Sequence, residues 1–175
     1  MVTVSIAETD GMITQLVQQI LKQNRLSFSQ NTVRYDRDYL FLPPDSRHPC
    51  DVSLIHEPKG SCFPGDYMTI VNIDSTITLP PTQSLLITYG CNPKATVTAS
   101  SIMEKDGILT CSLCIQRSLV SLKGKIIEPQ EIPVSFPDLG AEIGSLLGFS
   151  CLSLVLSLAP DAVSLQGFDK TSHKI

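Results

Sequence analysis

Between the apolar run Val2, Val4, Ile6 and an amphipathic segment that starts near Met12 lies Glu8-Thr9-Asp10-Gly11-Met12-Ile13-Thr14. A loop that turns into a helix aims free backbone N–H groups at one spot, and the helix dipole makes that spot favourable for an anion. The loop from Glu8 to Thr14 is therefore a candidate binding site, for a nucleotide phosphate or another anion. The competing reading is structural, with Thr9 or Asp10 capping the helix for a typical contribution of about 1 kcal/mol. Capping is favoured, because no Lys stands in the loop to meet a terminal phosphate.

Other reactive residue types do not assemble into a recognisable pattern. Cys111 and Cys114 form a CxxC pair, but in a strand positions three apart point to opposite faces, and there is no second pair. His48, Cys50, His56 and Cys62 could be drawn as a zinc set, yet their spacing fits no common zinc module. No metal site is expected. Ser100 and Ser101 lie outside any GxSxG elbow, and His48, His56 and His173 are the only histidines, so a hydrolase triad is not supported. Asp36, Asp38, Asp51 and Glu57 are loop acids, a class more often solvated than catalytic. No catalytic residue is assigned.

The elements that must position the loop follow from hydrophobic spacing. Ile13, Leu16, Val17, Ile20 and Leu21 fall on one helical face, which predicts a helix ending near Asn24. Thr32 to Tyr35 and Tyr39 to Leu42 read as strands, the second stopped by Pro43 and Pro44. Val52 to Ile55, Met68 to Asn72 and Leu85 to Thr88 are short apolar runs of the kind buried on both faces of a parallel sheet. From Ala95 the spacing predicts antiparallel strands with tight turns: Ala95 to Ile102, Ile108 to Arg117, Leu119 to Leu122 and Ile132 to Phe136. Leu139 to Leu158 predicts a second long helix, closed by Pro160.

The predicted fold class is thus α/β, a Rossmann-like mostly parallel sheet with few helices, then an antiparallel hairpin region and a C-terminal helix. The 175 residues, 42% hydrophobic, suit one domain over 1–165 and a polar tail over 166–175. A net charge of -4 with no basic stripe argues against nucleic acid. Leu146 to Ala159 is too short and too serine-rich to span a bilayer, and no membrane partner is expected. The N-terminus lacks the basic start and apolar core of a secretory signal, so the expected compartment is the cytoplasm and the six cysteines are expected to be reduced. Few helices for many strands leave one sheet face thinly covered over Val52 to Ile55 and Met68 to Asn72. The connections 57–67 and 73–84, rich in proline, can cover only part of it. That face predicts a homodimer or a protein partner.

The order of these segments resembles the central domain of Mur ligases and the related folylpolyglutamate synthases. That family opens with an apolar strand, a GTNGKTT-type loop and an amphipathic helix, and here Val4-Ser5-Ile6-Ala7-Glu8-Thr9-Asp10-Gly11-Met12-Ile13-Thr14 stands in that place, so the resemblance implies Thr9, Asp10, Gly11 and Thr14 as the candidate binding residues of a vestigial phosphate loop. Cys50-Asp51-Val52-Ser53-Leu54-Ile55 is similar to its PDVAVVTN-type strand. Tyr67-Met68-Thr69-Ile70-Val71-Asn72-Ile73-Asp74 is similar to its VLNxDD strand, and Leu86-Ile87-Thr88-Tyr89-Gly90 to its ITFG-type strand. The resemblance implies an ATP-driven ligase scaffold. It covers a shortened central domain, without the substrate and ligase domains that flank it in the family.

The departures from the family pattern bear on activity. The resemblance puts Met12 at the Lys position, Ile13 at the hydroxyl position and Glu8 at the first Gly, and no Asp-His pair follows the Val52 strand, where Pro58 intrudes. A phosphate loop needs the Lys charge and the Mg²⁺-holding hydroxyl, and a carboxylate beside a triphosphate has the wrong sign. The expectation is a non-catalytic Mur-ligase-like scaffold or interaction module with a degenerate ATP-binding loop, binding neither ATP nor Mg²⁺. The alternative is a nucleotide- or small-ligand-binding protein, or a ligase subunit completed by a partner chain.

Overall fold

The computed structural model describes residues 1–26, 28–30, 38–43, 49–57, 64–79, 81–137 and 140–158. The predicted strand Thr32 to Tyr35, the residues Asp36, His48, Cys62 and His173, and the tail 166–175 lie outside the described residues. In chain order the elements are β1 (Val2–Ala7), α1 (Met12–Gln23), β2 (Phe28–Gln30), β3 (Tyr39–Leu42), β4 (Val52–Ile55), β5 (Met68–Asn72) and β6 (Leu85–Tyr89). There follow β7 (Val97–Lys105), β8 (Ile108–Ile115), β9 (Leu119–Val120), β10 (Ile126–Ile127), β11 (Gln130–Pro137) and α2 (Ile143–Val155).

Nine strands form one sheet in the order β11-β8-β7-β6-β5-β4-β1-β3-β2, and β9 pairs with β10 in a separate hairpin. Pairing is parallel from β2 through β7. It turns antiparallel at β7·β8 and β8·β11. The fold class read from the sequence is the one observed. β6 meets β7 only at Tyr89↔Val97, the last residue of one beside the first of the other, so β7 runs on past the end of β6. The β7–β8 turn uses Asp106 and Gly107, both at positive φ, which suits the twist of a tight hairpin. Ser101 also has positive φ, at the bulge where Ser100↔Ser112 gives way to Met103↔Thr110.

Both helices lie on one face. Val4, Ile6, Val52, Leu54, Met68, Ile70 and Tyr89 share a buried cluster with Ile13, Leu16, Val17, Ile20 and Leu21 of α1 and Leu147, Cys151, Leu152 and Val155 of α2. The predicted face of α1 is the buried one. α2 is shorter than Leu139 to Leu158: it starts at Ile143 after an extended Glu142, and its C-terminal cap is Leu156, followed by Ser157 at positive φ. Eleven of its residues are buried, among them three serines. Among the described residues no helix is long and apolar enough to cross a membrane.

The second face is built differently from the expectation. Ser5, Ala7, Ser53, Ile55, Thr69 and Val71 alternate with the cluster residues and are also buried, with no helix among the described residues to cover them. Small side chains let the chain come close there: a Cβ on Gly65 would lie 2.7 Å from the Ser53 amide nitrogen, and the Gly65 N–H donates to Thr69 Oγ1 at 3.1 Å. As a result β4 and β5 are buried along their whole length. The large exposed apolar side chains include Tyr67, Leu85 and Leu86 at the entrances to β5 and β6, and Ile102, Met103 and Ile108 at the β7–β8 hairpin. The thin cover foreseen over β4 and β5 is not found.

Candidate functional site

The chain leaves β1 toward α1 and β3 on one side of the sheet order and continues through β4, β5 and β6 on the other. This reversal opens a crevice at the C-terminal ends of the parallel strands, where open α/β sheets place ligands. Four segments converge there: Glu8–Gly11 after β1, His56–Glu57 after β4, Asn72–Ser75 at the end of β5, and Tyr89–Asn92 at the end of β6.

Gly11, with φ of 75°, turns the chain into α1 and leaves the first amides of the helix pointing back toward β1. Those amides already have an anion. The Glu8 carboxylate accepts the Ile13 N–H at 2.7 Å through Oε2 and the Thr14 N–H at 2.9 Å through Oε1, and the Thr14 hydroxyl donates to the same Oε1. Asp10 Oδ1 takes the Met12 N–H at 3.0 Å. Burial pushes the Glu8 carboxyl above its ordinary pKa, against the pull of the Thr14 and Ile13 hydrogen bonds, and the charge of Asp10 adds to the rise.

The four loop residues singled out from sequence therefore divide. Asp10 caps the helix as foreseen, and Thr14 is a partner of Glu8. Gly11 supplies the turn. The Thr9 hydroxyl donates to Glu57 Oε2 at 3.0 Å, tying the β1 loop to the end of β4. The principal capping group is Glu8, which the spacing rules overlook because it reaches five and six residues forward instead of acting from the N-cap position. Met12 and Ile13 are buried in the core, 5% and 0% exposed, so neither side chain faces the loop's anion position.

A second constellation lies beneath the same crevice. His56 Nδ1 is 2.7 Å from the Tyr89 hydroxyl and 3.3 Å from Asn72 Nδ2, and His56 Nε2 is 3.3 Å from Ser145 Oγ on α2. All four residues are buried. Burial drives the Tyr89 hydroxyl well above the ordinary tyrosine range, and the charges of Cys151, Glu8, Glu57 and Asp74 push the same way. Asp74 closes the far side of the crevice, its carboxylate receiving the Cys91 and Asn92 N–H groups at 2.5 and 3.0 Å. Sequence reading had no means of pairing residues 89 positions apart.

The remaining candidates occupy structural positions. Cys50 precedes β4 and His56 follows it, so the two stand about 20 Å apart along an extended strand and cannot share a zinc ion. Cys111 is buried and Cys114 is directed elsewhere, its thiol donating to Ser100 Oγ at 3.3 Å. Asp51 braces β1, accepting the Thr3 N–H and hydroxyl at 2.7 Å each. Asp38 accepts the Val2 N–H through its backbone carbonyl at 2.8 Å, beside the start of β3. Among the described residues the cysteines are free thiols, and burial lifts Cys151 to about 12 and Cys50 to about 11.

Neither a protein-family model nor a curated protein matches this chain. Solved structures do. Two crystal structures of MurF from Acinetobacter baumannii match 90% of the chain, with TM-scores of 0.53 and 0.56 at 11% and 10% identity. A structure of the UDP-N-acetylmuramoylalanyl-D-glutamyl-2,6-diaminopimelate--D-alanyl-D-alanyl ligase from the same organism matches with a TM-score of 0.56 at 10% identity, over 90% of this chain. The chain spans 42% to 43% of the length of these ligases. At such identity the likeness establishes the fold alone, which is Mur-ligase-like.

Proposed function

We propose that this chain uses its Mur-ligase-like fold as a non-catalytic scaffold or protein-interaction module, with a phosphate loop closed by its own Glu8. The observation that carries this reading is the Glu8 carboxylate seated on the Ile13 and Thr14 amides. Amides that would cradle a phosphate already serve an internal anion. A phosphate entering beside that carboxylate meets a repulsion of about 4 kcal/mol per pair of unit charges at 4 Å in a medium of effective dielectric 20. Met12 offers no cation and Ile13 no hydroxyl to offset it. On this reading Thr9, Asp10, Gly11 and Thr14 are a vestigial loop, neither ATP nor Mg²⁺ is a cofactor, and the protein acts in the cytoplasm as one domain over 1–165.

The decisive experiment is calorimetric titration of the purified protein with Mg-ATP. No heat of binding and no rise in melting temperature are expected. The variant Glu8→Gly, which frees the Ile13 and Thr14 amides, is expected to gain affinity for inorganic phosphate. Binding of Mg-ATP by the unaltered chain would overturn the proposal in favour of a nucleotide-binding subunit. The partner side of the proposal rests on the exposed apolar residues Tyr67, Leu85 and Leu86. Light scattering with size exclusion at micromolar concentration tests a homodimer, and a strictly monomeric particle removes it.

A further inference from the structure

We propose that the first half of β6 presents an open sheet edge that takes up the extended, apolar C-terminal end of a partner protein. The hydrogen bonds show which way each residue of β6 is turned. The Leu85 N–H donates to the Tyr67 carbonyl at 3.0 Å, and the Tyr89 carbonyl accepts the Ile73 N–H at 2.9 Å, so the odd-numbered residues face β5. Backbone groups of successive residues in a strand point to opposite neighbours, and Leu86 and Thr88 therefore face the β7 side. β7 starts too late to meet Leu86. Its pairing with β6 is confined to Tyr89↔Val97, beside which the Gly90 N–H donates to the Val97 carbonyl at 3.2 Å. Among the described residues the Leu86 N–H, the Leu86 carbonyl and the Thr88 N–H have no partner.

An edge of this kind prescribes the chemistry of its occupant, because main-chain hydrogen bonds to an exposed strand are what an extended peptide supplies. A strand laid parallel to β6 answers the three groups in turn. One of its carbonyls takes the Leu86 N–H, the N–H two residues on donates to the Leu86 carbonyl, and the carboxyl group of that same residue takes the Thr88 N–H. The side chains add apolar surface on both faces of the sheet. Leu85, on the side of Ile87 and Tyr89 that meets the core cluster, is 47% exposed, and Leu86, on the other side, is 50% exposed.

The far end of the edge is closed, which selects a chain terminus over a segment that runs on. The Thr96 N–H donates to Thr88 Oγ1 at 3.0 Å, and the two threonine hydroxyls lie 3.2 Å apart, so Thr96 holds the place beside Thr88. An incoming strand must stop short of it after about four residues, or about 13 Å. Charge favours a carboxylate at that stop. Lys94 stands two residues before Thr96, and Arg117 follows Gln116, whose N–H donates to the Thr96 carbonyl at 2.8 Å; both cations are exposed. A second copy of this chain is disfavoured. Antiparallel pairing about Leu86 would bring Ser84 of each copy against the place that Thr96 already holds beside Thr88 in the other. The inference rests on the interaction-module reading above and gives the partner its form.

The test is selection on the full chain from a displayed library of random heptapeptides tethered at their N-termini, so that every C-terminus is free. Enrichment of sequences apolar in their last three residues is expected. A fluorescein-labelled peptide from that selection is then measured by fluorescence anisotropy. Its C-terminal amide and the protein variant Leu86→Pro are each expected to weaken binding by about tenfold or more, since proline removes the free Leu86 N–H and no internal bond. Should Leu86→Pro fail to fold, N-methylation of the peptide's last residue, which removes the N–H meant for the Leu86 carbonyl, is expected to give the same loss. No enriched C-terminal sequence, or equal binding by the amide or the N-methylated peptide, would overturn the proposal. A dimer in light scattering that Leu86→Pro dissociates would assign the edge to a second copy and overturn it too. Binding of Mg-ATP by the unaltered chain overturns the scaffold reading without changing the peptide measurement, so the two failures are told apart.

Discussion

Truncating Glu8 to Ala removes one carboxylate that serves three donors: the Ile13 N–H, the Thr14 N–H and the Thr14 hydroxyl. Asp10 still covers the Met12 N–H, so the helix start is weakened without being stripped. Loss of a capping side chain costs about 0.5–2 kcal/mol, and the upper half of that range is expected because two backbone donors lose their partner at once. The pH dependence has a definite sign. The Glu8 pKa is raised by folding, so its titration adds stability that is fully present below the unfolded value and is lost as pH rises through the folded value. The penalty for Glu8→Ala is therefore expected to grow as pH falls from about 7 toward the ordinary glutamate range. Urea unfolding followed by far-UV circular dichroism at several pH values measures it. A penalty that shrinks on acidification would refute the reasoning, since it would mean that the amide hydrogen bonds outweigh burial and hold the carboxyl below its ordinary pKa.

Two further substitutions probe how α2 is seated. Leu154→Ala is expected to cost about 2–5 kcal/mol, since Leu154 is 7% exposed within the shared core, and a cost below about 1 kcal/mol in the same unfolding assay would place it outside that core. Gly148→Ala is expected to destabilise by about 1–3 kcal/mol despite the better helix propensity of alanine, because the new methyl would lie 2.8 Å from the Tyr89 hydroxyl and 2.9 Å from Ile13 Cδ1; a rise in melting temperature would show that α2 can shift away freely.

What the sequence made legible was whatever a local period determines. The apolar stripe from Ile13 to Leu21 and the short apolar runs at Val52, Met68 and Leu85 became α1, β4, β5 and β6, although the start of β6 is exposed at Leu85 and Leu86 where burial on both faces was expected, and Lys105-Asp106-Gly107 announced its hairpin. β2 and β10, three and two residues long, carry too short a signal to be read. The end of α2 was overextended because Leu156 and Leu158 continue the apolar run while Ser157 turns to positive φ. The loop was located, but its chemistry was only half read. Thr9 and Asp10 were the capping candidates, and the side chain that holds most of the helix start was instead counted as a misfit for phosphate. The His56 constellation was out of reach, because it depends on which strand ends lie side by side and on where α2 is laid across them.

The position of α2 in the chain also shapes how the protein can be made. Its partners in the core include Ile13, Leu16 and Val17 of α1, more than a hundred residues earlier. During synthesis from the N-terminus, α1 and the helix-side faces of β4, β5 and β6 emerge long before the segment that covers them. Such non-local closure slows folding and prolongs the exposure of apolar surface. Until Ile143–Val155 leaves the ribosome, the apolar surface that α2 covers is expected to lack its partner, so a fragment ending before Ile143 is expected to expose it.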